Sequence, residues 1–292
     1  MDLCNLCPRG CNIDRNARFG YCRVPKMPMI ARAAPHFGEE PCITGTRGSG
    51  TVFFSGCNLR CVFCQNHAIS RGQTGSVVSV QRLRDIFLEL QDMGVHNINL
   101  VTGSHYALPI ARALDDAALE IPVAWNSSGY DSVETLRMLE GRIQIYMPDF
   151  KYSDPQLAKT YSAAENYPEI AAAAIMEMYR QTGPYRMDAE GILQSGVLVR
   201  HLILPDRPTN TRGVIDTLSG LLPKGTFLFS LMSQYTPMPG LEAYPELQKR
   251  VSPALADFFY RYMLKKGIED GYYQDPDSAT DELIPDFDLT GV

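Results

Sequence analysis

Beyond Cys64 the 292-residue chain has no cysteine, and beyond Lys266 it has no lysine or arginine. It holds one tryptophan, and no stretch approaches the ~20 apolar residues that a membrane span requires. The opening "MDLCNLCPRGCN" lacks the basic-then-apolar pattern of a secretory leader, so a cytoplasmic location without membrane contact is expected. A basic stripe is missing as well: the net charge is −6, which argues against a nucleic-acid partner. Disulfide scaffolds staple a small secreted chain along its whole length. Here all eight cysteines (4, 7, 11, 22, 42, 57, 61 and 64) crowd one end of a long one, which points to metal binding. Past Lys266 the charges are all acidic, from Glu269 to Asp288, so residues 267–292 are expected to form a solvated acidic tail.

What is present has the proportions of a globular protein, 45% hydrophobic and 21% charged, and is long enough for a large α/β domain. Residues 1–45 are rich in Cys, Pro and Arg with little periodicity, and predict a small cysteine-rich metal-binding lobe. From there to residue 266, strand and helix patterns alternate. Apolar strands are expected at "GTVFFS", "HNINLVT", "IPVAWNS", "RIQIYMPDF", "GVLVRHLIL" and "TFLFSLMS". Ser79 is placed to cap the helix carrying Leu83, Ile86, Phe87 and Leu90, and Asp131 with Glu134 has capping-box spacing. Near-continuous apolar strands followed by helices suit a parallel sheet buried on both faces. Six units are too few for the closed eight-stranded barrel, so the fold class is α/β, a partial (β/α)6 TIM-like barrel. Its chemistry should gather at the strand C-termini.

The loop "SGCNLRCVFCQN" after the first of these strands offers Cys57, Cys61 and Cys64 in C-x3-C-x2-C spacing. Thiolates are the usual protein ligands of iron–sulfur clusters, four being the norm. Three on one loop would leave one iron of a [4Fe–4S] cluster open to a small molecule. Phe63 can shield such a cluster from water. A zinc site would need a fourth ligand, for which His67 or Cys42 are candidates.

The stretch "GSGTVFFSGCNLRCVFCQN" resembles radical S-adenosylmethionine (SAM) enzymes, and within them the glycyl-radical-enzyme activases typified by the pyruvate formate-lyase activating enzyme. "MPDFK", "NSSGY" and "VRHLILP" are similar to that family's later motifs, so the likeness runs in order from Gly45 to Pro205. It implies a [4Fe–4S] cluster and SAM, reductive cleavage to a 5′-deoxyadenosyl radical, and hydrogen abstraction from a protein or peptide such as a glycyl radical enzyme. A flavodoxin- or ferredoxin-like electron donor is implied too. By resemblance Lys151 meets the methionine carboxylate, Asp149 sits beside the sulfonium, and Arg200 contacts ribose or carboxylate. Asn66, Asn126, Ser127 and Gln234 are further cofactor-binding candidates. The sequence departs from the family where a Gly-Gly-Glu-like element should hold the methionine amino group. "LVTGSHY" there supplies Thr102, Ser104 and His105 but no carboxylate. Gln65 also replaces the usual histidine. A radical enzyme acting on a small molecule or ribosomal peptide is the alternative, and an electron-transfer or zinc-ribbon protein is a rival from another class.

Cys4, Cys7, Cys11 and Cys22 form a closed set of four thiols, suited to zinc or to a second iron–sulfur cluster. Cys42 reads as a small buried hydrophobe. Trp125, Met176 and Met178 read as core packing. His36, His96 and His201 read as structural residues. His105, at a predicted strand end, reads as facing the site, as do Gln234 and Tyr235.

Overall fold

Apolar runs such as "INLV" and "VFF" become strands because both of their faces are covered, which a parallel sheet flanked by helices provides. A computed structural model describes residues 3–71, 74–274 and 285–292. In chain order its strands are β1 (Met29–His36), β2 (Ser49–Phe54), β3 (Ser76–Val77), β4 (Ile98–Val101), β5 (Val123–Ser127), β6 (Ile145–Pro148), β7 (Arg186–Met187), β8 (Leu193–Leu202), β9 (Leu228–Met232) and β10 (Gly271–Gln274). Helices α1 (Pro41–Thr44), α2 (His67–Ser70), α3 (Val80–Asp92), α4 (Ala107–Ala117) and α5 (Val133–Met138) fall in the first half. They are followed by α6 (Pro155–Ser162), α7 (Tyr167–Thr182), α8 (Pro208–Leu221) and α9 (Pro253–Lys265). One sheet runs β10-β9-β8-β6-β5-β4-β2-β1-β3, with β7 paired to β8.

The six expected strands are β2, β4, β5, β6, β8 and β9, parallel and in chain order, as a partial barrel requires. The ends of the sheet, β3 and β10, do not pair with each other among the described residues. Helix α3 starts as expected: the Ser79 hydroxyl accepts the Arg82 amide at 3.0 Å, and Leu83, Ile86, Phe87 and Leu90 are buried. At α5 the N-cap is Ser132 instead of Asp131, which turns inward to accept the Ser127 hydroxyl at 2.5 Å. Met178 and Trp125 are core, whereas Met176 is 53% exposed. Two residues apart on a helix, Met176 and Met178 cannot share its buried stripe.

Within residues 1–45, β1 pairs antiparallel with β2 and α1 plugs the open barrel. Cys42 and Ile43 of α1 pack there among Ala124, Ile145, Met147 and Leu198, so Cys42 is indeed a buried hydrophobe. The described parts of residues 267–292 make contacts of their own. β10 extends the parallel sheet beyond β9. Further on, the Leu289 amide donates to the Ala31 carbonyl at 3.0 Å, the Ala33 amide donates to Thr290 at 2.8 Å, and Phe287 packs edge-on against Phe53. Asp275, Asp277, Asp281 and Glu282 lie outside the described residues.

Candidate active site

After β2 the chain turns at Gly56, with φ +78°, where a Cβ would meet the Cys22 carbonyl at 2.7 Å. Glycine there lets the N-terminal cysteine segment press against the loop that carries the second cysteine set. Within that loop the amides of Leu59 and Arg60 point at the Cys57 sulfur at 3.3 and 3.4 Å. The Ser162 hydroxyl donates to the Cys61 sulfur at 3.1 Å. Phe63 is 5% exposed and ringed edge-on by Tyr152, Tyr161 and Tyr235. Burial pushes the Cys57 thiol up to about 12 and raises Cys64 as well. These thiols are therefore protonated until a metal centre draws the protons off.

Cys57, Cys61 and Cys64 open into a cavity of about 280 Å³ at the strand C-termini. Thr102 follows β4 in the left-handed region at φ +62°, and its amide donates to Asn126 at 2.8 Å. A β-branched residue held there is a strained one, the kind of outlier that clusters at functional sites. Asn126 and Ser127 end β5, and Asp149 extends β6 through a bridge to Arg200 on β8. Gly129, at φ +73°, lies so close to the Asp149 carbonyl that a Cβ would come within 2.1 Å of it. Lys151 Nζ meets Asp149 Oδ2 at 2.7 Å. Burial works against the Lys151 ammonium, but the Asp149 carboxylate beside it outweighs that and holds its pKa above the ordinary value. The Tyr167 hydroxyl accepts the Lys151 amide at 2.8 Å and stands equally near the carbonyls of Ser128 and Asp149, fixing this segment.

Asn66, Thr102, Asn126 and Ser127 line the cavity, and so do Asp149, Lys151, Arg200 and Gln234. Ser104 and His105 are not among its lining residues. The short turn after Gly103 rolls both into the interior, where His105 Nε2 meets the Ser55 carbonyl at 2.9 Å. Burial, with the Arg15 charge adding to it, pushes the His105 imidazole down to about 3, so it stays neutral. Arg200 is buried and engaged: its Nη2 donates to Glu39 at 2.5 Å and also to Glu40, and its Nε donates to Glu40 at 3.0 Å. Tyr235 is buried with its hydroxyl on the Leu247 carbonyl.

Glu39, Glu40, Tyr167 and Arg9 escaped the sequence reading. The two glutamates come from the β1–α1 turn in a stretch without periodicity, and their only signal was a carboxylate pair ahead of Pro41. Arg9, between Cys7 and Cys11, donates to the carbonyls of Asn58 (2.6 Å) and Leu59 (3.4 Å) in the cysteine loop. It also donates to Ala163 (2.5 Å) and Ser162 (2.7 Å), and stacks over Tyr21 at 3.7 Å. Burial, with the Cys22, Cys11 and Cys4 sulfurs adding to it, pushes Cys7 up to about 12, so these four thiols are gathered within electrostatic reach. Tyr21 N also points at the Cys11 sulfur at 3.4 Å.

Among the described residues no three His, Cys, Asp or Glu side chains stand close enough to hold a single metal ion. A cubic cluster takes each thiolate on a different iron, and the Cys57, Cys61 and Cys64 loop fits that demand. Cys57 and Cys61 are buried and met by N–H and O–H donors, Cys64 is half-buried, and Phe63 shields the loop. The cavity beside it fits a polar cofactor: Ser128 Oγ and Gln234 Oε1 are buried there without a partner. Charged groups of both signs complete its wall. His67 is exposed and Cys42 lies among core residues, so neither joins the three as a fourth ligand.

Residues 51–181 match the family model described as the radical SAM superfamily. An uncharacterized protein of Methanocaldococcus jannaschii, MJ0674, is 28% identical over 259 residues, covering 85% of this chain and 70% of the relative. Streptococcus suis SuiB, solved bound to its precursor peptide SuiA, superposes at TM-score 0.53 with 14% identity, over 78% of this chain and 49% of SuiB. SuiB bound to S-adenosylmethionine gives 0.53 with 13% identity over 75% and 48%. The chain thus spans about half the length of SuiB, and the likeness is one of fold. No described helix is long and apolar enough to cross a membrane.

Proposed function

We propose, from the match of residues 51–181 to the radical SAM superfamily model, that the chain cleaves S-adenosylmethionine reductively and takes a hydrogen atom from a protein or peptide. One observation carries this reading: three thiols, those of Cys57 and Cys61 buried and that of Cys64 half-buried, and the Asp149–Lys151 pair open into a single cavity at the strand ends. A bound, reduced [4Fe–4S] cluster would supply the one electron for reductive cleavage of the sulfonium C–S bond, which gives methionine and a 5′-deoxyadenosyl radical.

Cys57, Cys61 and Cys64 would hold that cluster, with the Leu59 and Arg60 amides bonded to the Cys57 sulfur and the Ser162 hydroxyl to that of Cys61. Phe63 and its tyrosine collar exclude water. Lys151, whose ammonium is secured by Asp149, receives the cofactor carboxylate; Asn66, Asn126, Ser127, Thr102 and Gln234 line its polar edges. Arg200, committed to two glutamates, acts as the cation of the cavity floor and is not free for the cofactor's anion. Cys4, Cys7, Cys11 and Cys22, which do not stand close enough to close on one zinc ion, would hold an iron–sulfur cluster with each thiolate on its own iron, and Arg9 would dock that segment onto the first cysteine loop. A flavodoxin- or ferredoxin-like protein supplies the electron. The "GSGTVFFSGCNLRCVFCQN" motif favours a glycyl radical enzyme as the hydrogen donor, over a small molecule.

The test is isotopic. Reconstituted, reduced protein is incubated with SAM and a deuterated candidate glycyl radical enzyme, and 5′-deoxyadenosine is weighed by mass spectrometry. Deuterium in the nucleoside together with a glycyl electron paramagnetic resonance signal is expected. Turnover with deuterium taken up only from small molecules would overturn the macromolecular substrate.

A further inference from the structure

The charges lining the cavity do not cancel. Among its described residues are three carboxylates, Glu39, Glu40 and Asp149, and two cations, Lys151 and Arg200. Asp149 and Lys151 neutralise each other at 2.7 Å. Glu40, 2% exposed, takes both Nε and Nη2 of Arg200 on its two oxygens, a bidentate pair that is neutral as a unit. Glu39 is left over. One of its oxygens shares the already paired Nη2 of Arg200 at 2.5 Å. The other accepts from two neutral amides, Asn99 Nδ2 at 2.9 Å and Asn126 Nδ2 at 3.3 Å. His36 also lines the cavity, but burial lowers its pKa against the pull of Glu39, so it brings no charge at neutral pH.

A carboxylate whose side chain is only 11% exposed, satisfied by dipoles and half a guanidinium, is a buried charge awaiting a countercharge. Glu39 comes from the turn that β1 and the α1 plug insert beneath the site, and it spans from β4 through β5 to β8 by its bonds to Asn99, Asn126 and Arg200. We infer that Glu39 is the charge-selecting residue of the cavity, making it prefer the net-cationic sulfonium cofactor over its neutral thioether analogue. This rests on the proposed binding of SAM. SAM carries sulfonium, ammonium and carboxylate, a net charge of one; S-adenosylhomocysteine has the same groups except the sulfonium charge and its methyl.

The experiment measures equilibrium affinity on anaerobically reconstituted protein by isothermal titration calorimetry, with SAM and S-adenosylhomocysteine as the two probes. Wild type should bind SAM at least about tenfold more tightly than the thioether, the scale of one unit charge acting across a few ångströms of partly shielded protein. Glu39→Gln should erase about tenfold of that preference by weakening SAM, while its affinity for the thioether moves less than about threefold. Glu39→Asp, which keeps the charge, should retain the preference. Equal loss of both ligands in Glu39→Gln, or an unchanged preference, would overturn the inference. If that variant does not give a wild-type thermal transition, wild type and Glu39→Asp still decide, since parity between the ligands in either overturns it. Wild type binding neither ligand would overturn the SAM reading itself, a result distinct from binding both alike.

Discussion

Replacing Arg9 by methionine keeps the length and apolar stem of the side chain and removes every bond it makes across the fold. Its guanidinium joins the first cysteine set to the second: Asn58 and Leu59 lie between Cys57 and Cys61, and Ser162 bonds the Cys61 sulfur. The bonds to Asn58 and Ser162 are short and part-buried, and losing each costs about 1 kcal/mol or slightly more. The long contact to Leu59 and the exposed one to Ala163 add little, and the stack on Tyr21 adds about 0.5–1 kcal/mol. The sum is about 3 kcal/mol, a fall of several degrees in melting temperature for a chain of this size. Because the released carbonyls of Asn58 and Leu59 belong to the Cys57–Cys64 loop, iron bound per chain after anaerobic reconstitution should fall too. Arg9→Lys should recover less than half of the loss, since a point charge cannot reach four carbonyls as a planar fork does. Thermal unfolding followed by circular dichroism and iron analysis read both effects. Arg9→Met within about 0.5 kcal/mol of wild type, with full iron, would refute the coupling.

Three other perturbations follow from particular contacts. His105 and His201 are held neutral by burial, down to about 3 and about 4, so the unfolded chain binds protons that the native one refuses. Their contribution is fully present above the unfolded value near 6.5 and is lost as pH falls toward 4; His201→Gln should flatten part of that slope in pH-dependent unfolding. Phe287→Ala should cost about 1–2 kcal/mol, because the ring packs on Phe53 at 5.5 Å and is only partly buried; no change in urea midpoint would deny that the C-terminal segment docks. Thr102→Gly should stabilise by about 0.5–1 kcal/mol as the φ of +62° ceases to be strained, and a destabilised variant would show that the conformation carries no strain.

The barrel strands were legible because their burial is continuous: every residue of β2, β4 and β6 is buried, so hydropathy alone marks them. The cysteine loop was legible because its spacing is covalent and local. Contacts that bring distant residues together were not. Arg200 meets Glu40 across 160 positions, and nothing in "FGEEPC" marks a cavity floor. Strand-end position alone suggested His105 for the site, and one short turn rolled it inward. The acidic run hid Phe287 and β10, since charge density on one side of a segment says nothing of what its apolar residues touch.

The central claim is that Cys57, Cys61 and Cys64 hold the cluster at which SAM is cleaved. It is tested most directly by chromatographic detection of 5′-deoxyadenosine after dithionite reduction of the reconstituted protein with SAM. Wild type is predicted to release the nucleoside with matching methionine, and Cys57→Ala to release none. No nucleoside from wild type carrying its full complement of iron, or undiminished release from Cys57→Ala, would contradict it.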